Sequence, residues 1–113
     1  MADTDTLPAF TIDYRWTGRL ARDTRRARGE DAPDTGDRTR GWVVTCRAQD
    51  GDVAFVAGKT GDLADVAART LTALTDVHGA GILPRVRHTV AGSAAEFRAA
   101  VGADVQQRLA HAA

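Results

Sequence analysis

Three stretches of the chain alternate apolar and polar side chains, and the segment after them switches to helical spacing. Phe10, Ile12, Tyr14 and Trp16 alternate with Thr11, Asp13, Arg15 and Thr17, which predicts a half-buried strand. Trp42, Val44, Cys46 and Ala48 share one face of a second strand, and Val53, Phe55 and Ala57 share one face of a third. The Asp50-Gly51 pair between them is a hairpin signal. Gly58 to Gly61 breaks the period of two. Leu63, Val66, Ala67, Thr70, Leu71 and Leu74 then recur every three or four residues, the stripe of an amphipathic helix. Asp62 and Asp65 open that helix, where the dipole favours negative charge, and Gly79 and Gly81 close it.

Beyond the helix, Ile82 to Val90 predicts a fourth strand, with Pro84 near its start pointing to a sheet edge. Ser93 and Glu96 form a capping box ahead of Phe97, Val101, Val105 and Leu109, a second helix. The predicted order is β-β-β-α-β-α. It implies an α+β domain whose three- or four-stranded, largely antiparallel sheet carries helices packed on one face. Residues 1–8 are polar and predict a flexible tail, which leaves 9–113 as a single domain. Within it, 18–41 is a long charged loop. Leu20 is its only large apolar side chain, so no face can be buried and a mobile connection is expected, with Arg19–Arg28 a candidate helix on binding.

Composition narrows the classes. At 113 residues the chain can bury one core, and much of its 43% hydrophobic content is alanine, so the large anchors are few. Such a lean core suggests completion by a partner or by a second copy, a homodimer. Fifteen basic residues balance fifteen acidic ones, so bulk charge points to neither nucleic acid nor membrane. One cysteine and no apolar N-terminal stretch give the expectation of a reducing cytoplasm. Arginine supplies fourteen of the fifteen basic residues, a bias expected of a GC-rich bacterial source.

Motifs for catalysis are weak. Gly58-Lys59-Thr60 resembles the end of a phosphate loop, but the position five before Gly58 is Val53, and the loop needs glycine there. His78, His88 and His111 have no metal-ligand spacing to one another or to Cys46. Cys46 falls on an apolar strand face with no group placed to lower its pKa, so a buried core residue is expected. Asp50, Asp52, Asp62 and Asp65 are accounted for by a turn and a helix start. No catalytic, cofactor or metal residue is assigned.

Charge clustering is the sharper signal. Between Arg15 and Arg28 there are six arginines against Asp23, a local charge of about +5. Arg19, Arg22, Arg25, Arg26 and Arg28 are therefore the candidate contacts for a partner or for nucleic acid. Phosphate contacts from them would be salt-sensitive, while the absence of interleaved aromatics argues against base stacking. Glu30, Asp31, Asp34 and Asp37 follow and could fold back on the arginines. An RNA-binding module using this segment is the alternative reading. A small-molecule pocket lined by Trp16, Trp42 and Phe55 is another.

Gly41-Trp42-Val43-Val44-Thr45-Cys46, Val53 to Thr60, and Leu63-Ala64-Asp65-Val66 through Leu74 together resemble the HicB-type antitoxins. In that family a strand carrying W-x-V and a second strand ending in a polar turn lead into a helix, and a last strand follows. The resemblance spans residues 10–90. It implies a non-catalytic, dimeric protein that sequesters a small toxin-like protein partner.

Overall fold

A computed structural model describes residues 7–90. The helix expected from Ser93 onward, and most of the expected N-terminal tail, lie outside the described residues. In chain order the elements are β1 (Phe10–Thr17), α1 (Leu20–Ala27), β2 (Gly41–Ala48), β3 (Val53–Lys59), α2 (Leu63–His78), a 3-10 turn (Ala80–Arg85) and β4 (Val86–Val90).

The four strands form one sheet in the order β3-β2-β1-β4. β1 pairs antiparallel with β2, and β2 with β3, whereas β4 runs parallel to β1. A parallel strand cannot be reached by a tight turn. α2 and the 3-10 turn supply the crossover that carries the chain from the β3 edge to the β4 edge. The expected α+β class, with a four-stranded and largely antiparallel sheet, is what the chain adopts. The fourth strand starts at Val86 rather than Ile82, because Ile82 and Leu83 turn inward from the 3-10 segment and are buried.

α2 covers one face of the sheet. Its buried residues are Leu63, Val66, Ala67, Thr70, Leu71 and Leu74, the stripe read from the spacing. They pack with Phe10, Ile12 and Tyr14 of β1 and with Val44 and Cys46 of β2 in the main core. Asp62 caps the helix by accepting the Asp65 N–H at 2.8 Å. Gly79 ends it at φ 83°, donating its N–H to the Thr75 carbonyl at 2.7 Å.

Two strand details depart from simple alternation. A bulge between Cys46 and Arg47 breaks the β2–β3 register, so Val53 falls opposite Arg47 rather than on the face of Phe55, and it stands 46% exposed. Trp16 is 52% exposed and meets Trp42 edge-on with ring centroids 5.2 Å apart. The aromatic set Trp16, Trp42 and Phe55 is therefore not uniformly inward-facing: Trp16 lies at the sheet's rim.

The largest difference lies between β1 and β2. The segment expected to be a mobile connection contains α1, and α1 lies on the opposite face of the sheet from α2. Leu20 buries against Val43 and Val56, the alternate residues of β2 and β3, in a small second core. Two glycines make the room. A Cβ on Gly58 would sit 2.6 Å from Thr24 Oγ1 and 3.2 Å from Leu20 Cγ, and one on Gly41 would sit 2.7 Å from Leu20 Cδ2. Gly58→Ala is accordingly expected to cost about 1–3 kcal/mol by pushing α1 off the sheet. Urea unfolding reads this as a lower midpoint, and an unchanged midpoint would contradict the close packing of α1.

Candidate interaction surface

The five candidate arginines sit on and around α1, and each is already engaged. Arg19 Nε donates to Asp34 at 3.0 Å, and Arg22 Nε donates to Asp23 at 2.9 Å. Arg25 Nε donates to Glu30 at 3.2 Å. Arg26 Nε donates to the Ala32 carbonyl at 2.8 Å, while Arg28 Nη2 donates to the Val56 carbonyl at 3.0 Å. Asp34 is the hub of this arrangement. It accepts the Gly36 N–H and the Arg19 guanidinium with Arg38 near by, and together these hold its carboxyl down at about 2. The acidic run thus folds back over the arginine run, and α1 packs on the sheet of its own domain. Arg28 also occupies a β3 carbonyl, which blunts that sheet edge against further strand pairing.

Local chemistry fixes the start of α1. The Leu20 N–H bonds the Thr39 carbonyl at 3.0 Å, tying the helix to the residues that enter β2. Thr17 accepts the Arg19 N–H at 2.9 Å and donates its hydroxyl to Asp23. The Thr17 hydroxyl, then the Arg22 guanidinium, lower the Asp23 pKa, so this carboxylate is ionised and committed.

α1 covers only the β2–β3 half of its face. Beside it the β1–β2 surface is open, forming a groove of about 630 Å³ lined chiefly by Asp13, Arg15, Asp23, Arg26, Thr45 and Arg47. Strand register brings these together. Asp13 is opposite Thr45 on β2 and Thr89 on β4, and Thr11 is opposite both Arg47 and Arg87. Asp13 accepts the Thr89 hydroxyl and lies 3.9 Å from Arg47. Arg15 and Arg87 are exposed and make no hydrogen bond or ion pair with the described residues. Arg47 and Arg87 were not singled out from the sequence, and Arg15 was counted in the arginine cluster but not among the candidate contacts. The available signal was the polar half of each strand's alternation, which reads as ordinary solvent-facing surface until the register is known.

The other reactive side chains are placed as core groups. Cys46 is fully buried, and burial pushes its thiol up to about 11, against any nucleophilic role at neutral pH. Tyr14 Oη and His88 Nδ1 lie 3.1 Å apart in a buried hydrogen bond. Desolvation raises the Tyr14 pKa and lowers that of His88 to about 4. Among the described residues no group of three or more His, Cys, Asp or Glu is placed to hold a metal ion, and no helix is long and apolar enough to cross a membrane.

Comparison with known protein families, with curated proteins and with solved structures finds no match for this chain.

Proposed function

We propose that this chain is a non-catalytic protein-interaction module of the HicB-antitoxin type, acting as a homodimer in a bacterial cytoplasm and sequestering a small protein. Removing α1 from the element order leaves strand, hairpin, helix and last strand, the succession named in the sequence resemblance. The observation that carries the reading is the groove beside α1. It is open and lined by both signs of charge over an apolar floor that includes Val43 and Ala27, and its carboxylates are already bonded within the domain. Such a lining suits recognition of another chain's surface better than bond-making chemistry. Nucleic acid is the weaker alternative. Arg19, Arg22 and Arg25 pair with Asp34, Asp23 and Glu30; Asp23 is already in the count, so the segment that reads as +5 in sequence is reduced to about +3 where it sits.

The test is a tagged pull-down from the source cell, split into nuclease-treated and untreated halves, with light scattering of the purified chain. The expected result is a stoichiometric small protein that survives nuclease, and a free chain of twice the 12.0 kDa monomer mass. Nucleic acid lost on treatment, with no protein retained, would overturn the reading.

A further inference from the structure

We infer that the groove between α1 and the open β1–β2 surface binds an acidic peptide segment of the partner, held through Arg15, Arg26 and Arg47. This rests on the proposed function and deepens it by naming the chemistry of the contact. The argument is one of charge left over after internal pairing. Of the two carboxylates in the groove, Asp23 is taken by Thr17 and by Arg22, which points in from outside the lining set. Asp13 accepts from Thr89 and is approached by Arg47 only at 3.9 Å, with both side chains nearly half exposed. A contact that long and that wet contributes little and leaves Arg47 free to pair elsewhere. Arg26 spends its Nε on a backbone carbonyl and pairs with no carboxylate among the described residues. Arg15 makes no hydrogen bond or close ion pair with the described residues, and its charge acts only at longer range, helping the Thr17 hydroxyl and Arg22 to hold the Asp23 carboxyl down. The surplus is positive, and it lies along a channel rather than at a point.

The shape and the residual acids select among anions. A continuous polyphosphate would run its charges past Asp13 and Asp23 and be repelled by both. A peptide can space its carboxylates to meet the arginines and offer backbone N–H groups to the remaining oxygens of Asp13 and Thr45. Bidentate arginine–carboxylate pairing supplies the geometric selectivity. Arg87, one strand further along the row of Arg47 and Thr11, extends the same cationic track toward the β4 edge.

The experiment measures fluorescence polarisation of a labelled peptide of alternating glutamate and serine with the full chain at low salt. A lysine–serine peptide and a single-stranded RNA of similar length are the comparison arms. Saturable, salt-sensitive binding of the acidic peptide is expected, weakened about tenfold or more in Arg15→Ala/Arg47→Ala. The lysine pair Arg15→Lys/Arg47→Lys should retain part of the affinity. Arg69→Ala, whose side chain pairs with Asp65 on α2, on the opposite face of the sheet, should leave it unchanged. Circular dichroism confirms that each variant is folded. No binding of the acidic peptide, equal binding by the alanine pair, or preference for RNA would each overturn the inference. The pull-down separates this from the parent reading. A protein partner retained equally by the alanine pair sinks the groove alone, whereas no protein partner for the unmodified chain sinks the parent reading.

Discussion

Leu71→Ala is expected to lower the unfolding free energy by about 2–5 kcal/mol. Leu71 is fully buried at the centre of α2, in the same core as Ile12, Tyr14, Val44 and Cys46 from the strands beneath it. Removing its isobutyl group loses the transfer free energy of the side chain and leaves a cavity that the sheet cannot collapse to fill. Alanine is the better helix former, so the loss cannot be assigned to the helix itself. Val77→Ala separates the two effects: it sits on the same helix at 76% exposure and should change stability by less than about 0.5 kcal/mol. Domains of this size are stabilised by only about 5–15 kcal/mol, so the Leu71 loss would be a large fraction of the whole. The two urea midpoints check this, and a Leu71 shift no larger than that of Val77 would mean that α2 is not the main cover of the sheet. The groove lies on the opposite face, so the folded fraction of Leu71→Ala should bind the acidic peptide with unchanged affinity.

What could be read from the chain follows from where each element draws its stability. α2 and its sheet face were legible because every contributor repeats at a fixed period within a short window, from Leu63 to Leu74 and from Trp42 to Ala48. The Val53 error has a local cause, since a single bulge at Cys46/Arg47 moves one residue to the other face and alternation alone cannot reveal it. Arg19–Arg28 was readable as a candidate helix on binding, but the docking of α1 on the sheet was not, for a different reason. Its segment offers one large apolar residue, Leu20, and the partners that make that residue sufficient are distant in sequence: the notch at Gly58, the second-face residues Val43 and Val56, and the Asp34 carboxylate. The candidate arginines were visible as a run, but their engagement depends on how the acidic residues fold back. The groove was hidden more completely. Arg15 and Arg47 lie on different strands and come to line one groove only through a register that pairs Thr11 with Arg47, Asp13 with Thr45 and Arg15 with Val43.

Acid should destabilise the domain in a window set by His88. This imidazole is buried on β4 against Tyr14, and desolvation pulls its pKa from 6.5 to about 4. The unfolded chain takes up the proton near 6.5 and the native chain only near 4, so across that interval the unfolded state holds more proton. Stability is therefore complete above pH 6.5, falls as the pH is lowered, and levels off near 4, with a total loss of about 3 kcal/mol. Tyr14 and Cys46, the titratable neighbours in the core, have raised pKa values and stay neutral throughout. The carboxylates Asp23, Asp34 and Asp37 are shifted downward from 3.8, so their contribution is lost only at lower pH and does not overlap the imidazole window. Replacing both members of the buried pair, Tyr14→Phe with His88→Leu, removes the titrating group together with the phenol that bonds it. That double variant should show a flat stability profile between pH 6.5 and 4 while keeping the decline below it. Urea unfolding at a series of pH values measures both curves. An equal slope in the two proteins would show that His88 is not the group that titrates, and a flat profile in the unmodified chain would show that its imidazole reaches solvent.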